Sequence, residues 1–306
     1  MVDASMATMA TMAGMHAVEH DSDEWPDADA LPSYTFAKVA SMAGEACPLF
    51  FGLVVCHIVL YVIVRKVTGG DWEPKTGGSD GCSGPSIIAY NGMVLIFDVV
   101  STLIGMCALL DGTMAGIDDS SWTRLYGYSS TFMVLCALTA AFELYNTIVS
   151  AFVVPQGAAL IAHHLVTLAL CVIGVAPYSH FYGLFFFGIA NLSSVPLAAF
   201  SICDALRSRY PAFEKAYAHL RTAFGVLFLV VRCAAWPVLS AIFWADTYSA
   251  MRAERVHSFA ATLFLLLSNI FLTGLQFLWG CAYESAPAYT PYSAPLRHTL
   301  QRSLAA

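Results

Sequence analysis

The chain has 306 residues, of which 58% are hydrophobic and 11% are charged, whereas an ordinary soluble domain carries about 25% charged residues. Its mean hydropathy is +0.67, and a soluble domain of this size leaves roughly a quarter of its chain surface in water. The composition therefore indicates a polytopic membrane protein and excludes disorder, a coiled coil, collagen or a secreted disulfide scaffold for the chain as a whole. The formal net charge of -7 argues against nucleic acid as a partner, which requires a clustered basic surface.

Two segments of different composition flank the apolar part of the chain. Residues 1–46 become acidic after an opening of Met, Ala and Thr, and they lack the basic segment and continuous apolar run of a cleaved signal peptide. We predict that residues 1–46 form a flexible tail. Residues 285–306 contain Pro287, Pro291 and Pro295 and are predicted to form a C-terminal tail.

Seven apolar runs lie between these tails, and each approaches the ~20 residues that a helix needs to cross the hydrocarbon core. They extend over 47–66, 86–110, 129–153, 157–176, 181–203, 222–244 and 257–282. We therefore predict an all-α membrane bundle of seven spans, with a first span and its loop at 47–85 and a transmembrane domain at 86–284.

Lysine and arginine are unevenly divided between the two sides of this predicted bundle. One set of loops together with the C-terminal tail holds nine of them, and the other set holds four, at Lys38, Arg124, Arg252 and Arg255. Because cytoplasmic loops carry the excess of basic residues, we predict a cytoplasmic C-terminus and, with seven spans, a non-cytoplasmic N-terminus.

Few charged groups interrupt the apolar runs, and each is a candidate functional residue because a charge in mid-membrane costs roughly 2.5–3.5 kcal/mol on insertion scales. Asp98, Glu143 and Arg232 are the charged ones, and His163 and His164 form an adjacent pair. Arg232 is expected either to fix helix packing by pairing with Asp98 or Glu143, or to hold a phosphate or an acyl carbonyl.

The turn at Pro155 brings two of these groups to the same depth in an antiparallel hairpin. Glu143 and Asn146 share one helix face before the turn, and His163 and Thr167 share one after it, because residues three or four apart are neighbours on a helix. One polar cluster can therefore contain these residues and His164. Two interpretations remain open: the histidines and Glu143 satisfy one another between helices, or they form a site.

Several functions typical of seven-helix or histidine-bearing membrane proteins are excluded, because the residues that they require are missing. A retinal protein needs a lysine in its last span, whereas the last lysine here is Lys215. Di-iron hydroxylases need several histidine boxes, whereas only His163 and His164 are close together within a span. No C-x-x-C motif occurs, so we expect no metal site.

The order of motifs over roughly residues 86–284 resembles the TLC family, which includes the ceramide synthases, the translocating-chain-associated membrane protein and other lipid-regulating TLC-domain proteins. The matching segments are AHHLVT at 162–167, FELYN at 142–146, NLSSVPL at 191–197, Arg232 followed by Pro237, and LQFLW at 275–279. The His-Asp that follows the histidine pair in ceramide synthases is missing here, and Asn146 replaces the family's aspartate. The resemblance is therefore nearer to the other members.

This resemblance implies a six-helix TLC-like barrel around a lipid cavity, preceded by one N-terminal span, in the endoplasmic reticulum. As an enzyme, the protein would transfer an acyl group from acyl-CoA, as co-substrate, to a lipid amine or hydroxyl. His163, His164 and Glu143 would be catalytic, one histidine acting as general base or acyl acceptor. The implied substrate-binding residues are Asn146, Thr167, Asn191, Ser193, Ser194 and Arg232.

The alternative is a non-catalytic lipid-binding protein or regulator of membrane composition, in which the same cluster holds a headgroup. A channel or receptor has less support, because no ring of like charges is visible. No bound cofactor is expected in either case. Membrane lipids are the expected partners, and self-association into a homo-oligomer is left open.

The excess of lysine and arginine on one side of the predicted bundle predicts that the N-terminal tail is translocated. A glycosylation acceptor engineered near Asp27 should therefore be modified in microsomes, which a glycosidase-sensitive gel shift would detect. Modification only at an acceptor engineered between Asp204 and Arg221 would contradict this orientation.

Overall fold

The computed structural model describes residues 35–74, 82–110, 120–207 and 209–285, with side chains as far as residue 280. All regular structure within these ranges is helical, in agreement with the predicted fold class. The helices are α1 (Phe36–Val67), α2 (Gly84–Leu110), α3 (Ser121–Tyr126), α4 (Ser130–Phe152), α5 (Ala158–Ile173), α6 (His180–Arg207), α7 (Phe213–Arg252) and α8 (Phe259–Ser285). The predicted acidic tail as far as residue 34 and the predicted C-terminal tail from residue 286 lie outside the described residues.

Six of these helices are long and apolar enough to cross a membrane: α1, α2, α4, α6, α7 and α8. The predicted span at 157–176 contains α5, which is apolar but has only 16 residues. At 1.5 Å per residue α5 is about 24 Å long, which is less than the ~30 Å of a hydrocarbon core.

Contacts between the connections define two ends of the bundle. At one, the Trp72 end, Arg209 lies over the Trp72 ring and Cys82 Sγ contacts Val153 O. At the other, the Tyr178 end, Ser179 N donates to Leu125 O. The chain therefore runs from the Trp72 end to the Tyr178 end along α5, and it crosses the bundle there although α5 is short.

Helix α1 begins eleven positions before the predicted first span, so the boundary placed at residue 47 falls inside a helix of 32 residues. Thr35 caps its first turn, with the hydroxyl accepting from Lys38 N at 3.3 Å. At about 48 Å, α1 is longer than the hydrocarbon core. Hydropathy identifies only its apolar part and misses the polar continuation at 36–46.

Helices α6 and α7 both lose regular α geometry halfway along. In α6 a π-helical turn at Leu184–Gly188 passes into a 3-10 turn at Ile189–Ser193, and in α7 a π-helical stretch covers Phe228–Ala235. Proline follows each irregular segment, at Pro196 and Pro237. Because proline has no N–H and its ring collides with the carbonyl four residues earlier, the preceding turn cannot keep its regular hydrogen bonds.

Close backbone contact also shapes the break in α6. A Cβ on Gly188 would lie 2.8 Å from Gly105 Cα of α2, and a Cβ on Gly105 would lie 2.7 Å from Ile189 N. Only glycine permits such an approach. The two glycines therefore press the irregular part of α6 directly against α2.

A buried ion pair joins α3 to α7 at the Tyr178 end. Arg124 donates from Nε and Nη2 to the two carboxylate oxygens of Asp246 at 2.7 and 2.8 Å. Ser121 donates to the same carboxylate at 2.8 Å, and the Tyr182 hydroxyl of α6 also donates to it. Three helices thus converge on one carboxylate.

His180 closes the connection between α5 and α6 in a similar way. Its Nε2 donates to the carbonyls of Gly174 and Ala176 at 2.9 and 2.8 Å, while its Nδ1 accepts from Ser129 N at 3.1 Å. The ring is fully buried. It fixes the floor of the cavity described below.

We predict that Asp246→Asn lowers the free energy of unfolding by about 3–5 kcal/mol, the cost of leaving a buried partner charge uncompensated. Glu214→Gln provides the control, because Glu214 pairs with Arg207 at the surface and such pairs contribute about 0–1 kcal/mol. Thermal and denaturant unfolding in detergent would measure both. Equal effects of the two substitutions would contradict the role of the Arg124–Asp246 pair.

Candidate functional site

A cavity runs from the middle of the bundle to the Tyr178 end, walled by α2 and by α4 to α8. Glu143, His163 and Arg232 line its inner part, and Tyr178 and Phe243 line its far part. The space between the walls, including the part that is open to the surroundings, is about 880 Å³.

The shape and lining of this cavity suit a long apolar molecule with one polar end. Along α5 it extends from His163 to Gly174, eleven residues or about 16 Å. Phenylalanine, leucine and isoleucine side chains form most of the wall beyond the inner end.

The floor of the cavity, at the Tyr178 end and between the spans, is uncharged. Burial raises the pKa of the Tyr178 hydroxyl, which shares a hydrogen bond with Thr262 Oγ1 at 3.0 Å. Burial lowers the pKa of the neighbouring His257 to about 4, so that this imidazole is neutral near pH 7. The ring of His257 stacks edge-on against Tyr178 at 4.5 Å.

Glu143 and His164 form a buried pair at the inner end. The Nδ1 atom of His164 lies 2.6 Å from Glu143 Oε2, and both residues are about 5% exposed or less. The two atoms are within hydrogen-bond distance, and the contact joins α4 to α5 inside the bundle. The amide of Asn146 approaches the same nitrogen at 3.4 Å.

His163 occupies a different position from its neighbour, because adjacent residues on a helix point about 100° apart. Its ring lines the cavity, and it stacks edge-on against His164 at 5.4 Å and Trp279 at 5.7 Å. No described residue makes a hydrogen bond with its Nδ1. His163 is therefore the histidine that a molecule in the cavity would meet.

Arg232 is held by the two irregular segments together. It lies within the π-helical stretch of α7 and donates from Nε to Ser193 Oγ at 3.2 Å and from Nη2 to Ser194 Oγ at 3.3 Å. A guanidinium has five N–H donors, so donors remain for a ligand. The predicted pairing of Arg232 with Asp98 or Glu143 is not formed as a salt bridge between these described residues.

The predicted site residues divide into two groups. Five of them line the cavity: Glu143, His163, Thr167, Asn191 and Arg232. The other four lie behind that wall as supports: His164 and Asn146 beside Glu143, and Ser193 and Ser194 beneath Arg232.

Two of the lining residues use their polar groups in hydrogen bonds to other protein groups. Thr167 donates to His163 O at 2.9 Å, and Asn191 donates to Ser101 Oγ and Phe187 O at 2.9 Å each. Because these donors are already engaged, fewer hydrogen bonds from Thr167 and Asn191 remain for a ligand. Asn191 in particular ties the broken part of α6 to α2.

Sequence reasoning did not assign the far part of the cavity to the site. Tyr178 and Trp236 line the cavity, and neither has a motif that distinguishes it from a packing aromatic.

Glu143, His163 and His164 could also supply metal ligands, because one ligating atom of each lies within 4.8 Å of the others. Two histidines and a glutamate are a known zinc donor set. Ligand atoms on one tetrahedral zinc stand about 3.3 Å apart at the usual bond lengths, whereas the Glu143 and His164 atoms are 2.6 Å apart. As placed, these two atoms are within hydrogen-bond distance, and a shared metal ion would require them to move apart.

The fold and this mid-bundle cluster define a multi-pass membrane protein with an internal cavity lined largely by apolar side chains. Residues 88–283 match the TLC domain, which is well over half of the chain, and the protein belongs to the TLC-domain family. A search of curated proteins finds no match to the chain.

The Glu143–His164 bond predicts a measurable energetic coupling. His164→Ala should destabilise the protein by roughly 1–3 kcal/mol, because it leaves a buried acceptor unsatisfied, and the cost should be smaller in a Glu143→Gln background. A double-mutant cycle on unfolding in detergent would give the coupling energy. His219→Ala, at an exposed histidine, is the control and should change stability by less than about 0.5 kcal/mol; identical costs of His164→Ala in both backgrounds would contradict the pairing.

Proposed function

We propose that this protein transfers an acyl group from acyl-CoA to the amine or hydroxyl of a membrane lipid, with His163 as the group that takes the proton from the acceptor. The observation that carries the proposal is the position of His163. Its imidazole lines the cavity without a hydrogen-bonding partner for Nδ1, next to the buried Glu143–His164 pair. Membership of the TLC-domain family supports a lipid-related role.

The proposed substrate places its acyl chain in the apolar part of the cavity and its carbonyl at the inner end. The uncharged floor at Tyr178 suits the end of a hydrocarbon chain, because burying each methylene group contributes about 0.8 kcal/mol. Arg232 offers unused N–H donors at the inner end. Such donors stabilise the oxygen on which negative charge develops in acyl transfer.

His163 would act as the general base. Its ring takes the proton from the acceptor amine or hydroxyl as that atom bonds to the acyl carbon, and the bond from carbon to the thiol sulfur of the donor breaks. The proton then passes from His163 to the departing thiolate, so that the imidazole ends as it began. Imidazole suits this role because a neutral ring has one nitrogen that can accept a proton and return it.

Glu143 and His164 would position this base. A hydrogen bond of 2.6 Å between them fixes the ring of His164, which in turn packs against the ring of His163 at 5.4 Å. Asn146 on α4 and Thr167 on α5 would keep the helix faces that carry Glu143 and His163 in position. Asn191, Ser193 and Ser194 would support the carbonyl-binding end through α6 and Arg232.

Acyl-CoA is the acyl donor that we propose, with a lipid amine or hydroxyl as the acceptor. We further propose that the protein resides in the endoplasmic reticulum with the Trp72 end on the cytoplasmic side. The supporting observation is the excess of lysine and arginine at that end, including Arg65, Arg207 and Arg209.

Lipid binding without catalysis is the second candidate function, and one observation favours it. His164 and Glu143 already satisfy each other inside the bundle, as expected when buried charges serve only to stabilise a fold. The cavity would then hold a lipid whose polar group contacts Arg232, and the protein would act through that binding.

His163→Ala separates the two functions. We expect turnover of labelled acyl-CoA with a mixed lipid extract to fall by about 10²–10⁴-fold, the usual contribution of a general base. The thermal midpoint should fall less than in His164→Ala, because no hydrogen bond to Nδ1 is lost and only the ring contacts with His164 and Trp279 are removed. Both quantities would be measured on one detergent-purified sample.

His219→Ala is the matched control and should retain full turnover. Turnover by His163→Ala within a few-fold of the wild-type value would overturn the assignment of His163. A wild-type protein that shows no turnover on any lipid, yet co-purifies with a lipid that His163→Ala loses, would establish the second function in place of the first.

A further inference from the structure

One hydroxyl group in the cavity wall has no hydrogen-bonding partner in the protein. Thr139, in the middle of α4, lines the cavity and is 2% exposed. No described residue makes a hydrogen bond with its Oγ1 atom. A buried hydroxyl without a partner destabilises the fold, so a ligand that supplies the missing partner is bound more tightly than one that does not.

Two neighbouring threonines show how such a hydroxyl is usually satisfied within a helix. Thr147 of α4 and Thr167 of α5 donate to the carbonyl oxygens four residues earlier, at 2.7 and 2.9 Å, which is an ordinary bond for a helical threonine. Thr139 does not make this bond. Thr102 and Thr247 also lack a partner among the described residues, but neither lines the cavity. Thr139 therefore combines an unused hydroxyl with a place in the cavity wall.

The wall beyond Thr139, towards the Tyr178 end, offers few groups that could hold a water molecule. The next lining residues in that direction include Phe132 of α4 and Leu170 and Ile173 of α5, whose side chains are apolar. A buried water typically makes two to four hydrogen bonds. A hydroxyl carried on a bound chain is held in place by that chain and needs only one, so it is the better partner for Thr139.

Thr139 lies one helical turn from the candidate site. It precedes Glu143 by four residues, so the two side chains share a face of α4, and it lies about 6 Å further towards the Tyr178 end. One ligating atom of Glu143 and one of His163 are within 4.8 Å of each other, and they mark the depth of the proposed acyl carbonyl. An extended hydrocarbon chain advances slightly less per carbon than a helix does per residue, which places Thr139 beside about the fifth or sixth carbon of the chain.

We propose that the cavity prefers a hydroxylated acyl chain, with the hydroxyl at about the fifth or sixth carbon, and that Thr139 binds this hydroxyl. A hydroxyl both donates and accepts, so one hydrogen bond satisfies the ligand and the protein together. Thr139 is thereby a specificity-determining residue. The inference rests on the proposed function, because it requires an acyl chain in the cavity with its carbonyl at the inner end.

Binding of palmitamide, 6-hydroxypalmitamide and 10-hydroxypalmitamide tests the inference without turnover. The two hydroxylated isomers lose the same hydration on entering the cavity, so a difference between their affinities reports where the wall holds a partner for the hydroxyl. Equilibrium binding to the full chain in detergent should favour the 6-hydroxy isomer over the 10-hydroxy isomer by about fivefold or more. Thr139→Val should bind the two isomers within about twofold of each other and should leave the affinity for palmitamide unchanged.

Thr147→Val is the matched control, because it removes a hydroxyl of the same helix that is bonded to the backbone and does not line the cavity; it should keep the wild-type preference. Thr139→Ser retains a hydroxyl and should keep the preference too, and Thr139→Ala serves if Thr139→Val does not accumulate. Wild-type protein that binds the two isomers equally, or Thr139→Val protein that keeps the preference, would overturn the inference. A preference for the 6-hydroxy isomer in a protein that transfers no acyl group would support the inference and count against the proposed reaction alone.

Discussion

A charge halfway across an apolar bundle must be neutralised and hydrogen-bonded within the protein, because the surroundings offer no water. This constraint organises the middle of the molecule. Glu143 meets it through His164, which draws α4 and α5 together at mid-depth. Arg232 is hydrogen-bonded to two serine hydroxyls, which ties α7 to α6.

The irregular part of α6 carries the hydrogen bonds that hold this arginine. Ser193 ends the 3-10 turn and Ser194 begins the regular helix after it, and both hydroxyls accept from the guanidinium. Irregular segments of this kind occur often at functional sites, and here they border the inner end of the cavity.

The sequence was informative about what each helix contains and less so about where it ends. Apolar runs predicted every long helix, because hydropathy reports the portion that must lie in hydrocarbon. The polar first part of α1 and the extension of α7 to Arg252 escaped notice, since both continue as helix beyond the apolar stretch. Asp246 was missed for this reason: it lies past the predicted end of its span.

The candidate site was predictable as a set of residues but not as an arrangement. Spacing around Pro155 correctly predicted that Glu143 and a histidine would meet. It could not decide which histidine, because His163 and His164 differ by only one position and the rotation of α5 depends on its packing against α4 and α8. The contacts of Arg232 with Ser193 and Ser194 join residues almost forty positions apart and depend on the path of a broken helix, which no local pattern contains.

The short length of α5 has a consequence for the lipid around the protein. One side of this helix faces outward, with Leu165 and Val172 substantially exposed, so that lipid chains lie directly against it. A helix about 24 Å long cannot match a hydrocarbon layer of ~30 Å, and the usual response is that the bilayer thins locally. The membrane next to α5 should therefore be thinner and its chains less ordered than elsewhere on the perimeter, and His163 lies on this helix.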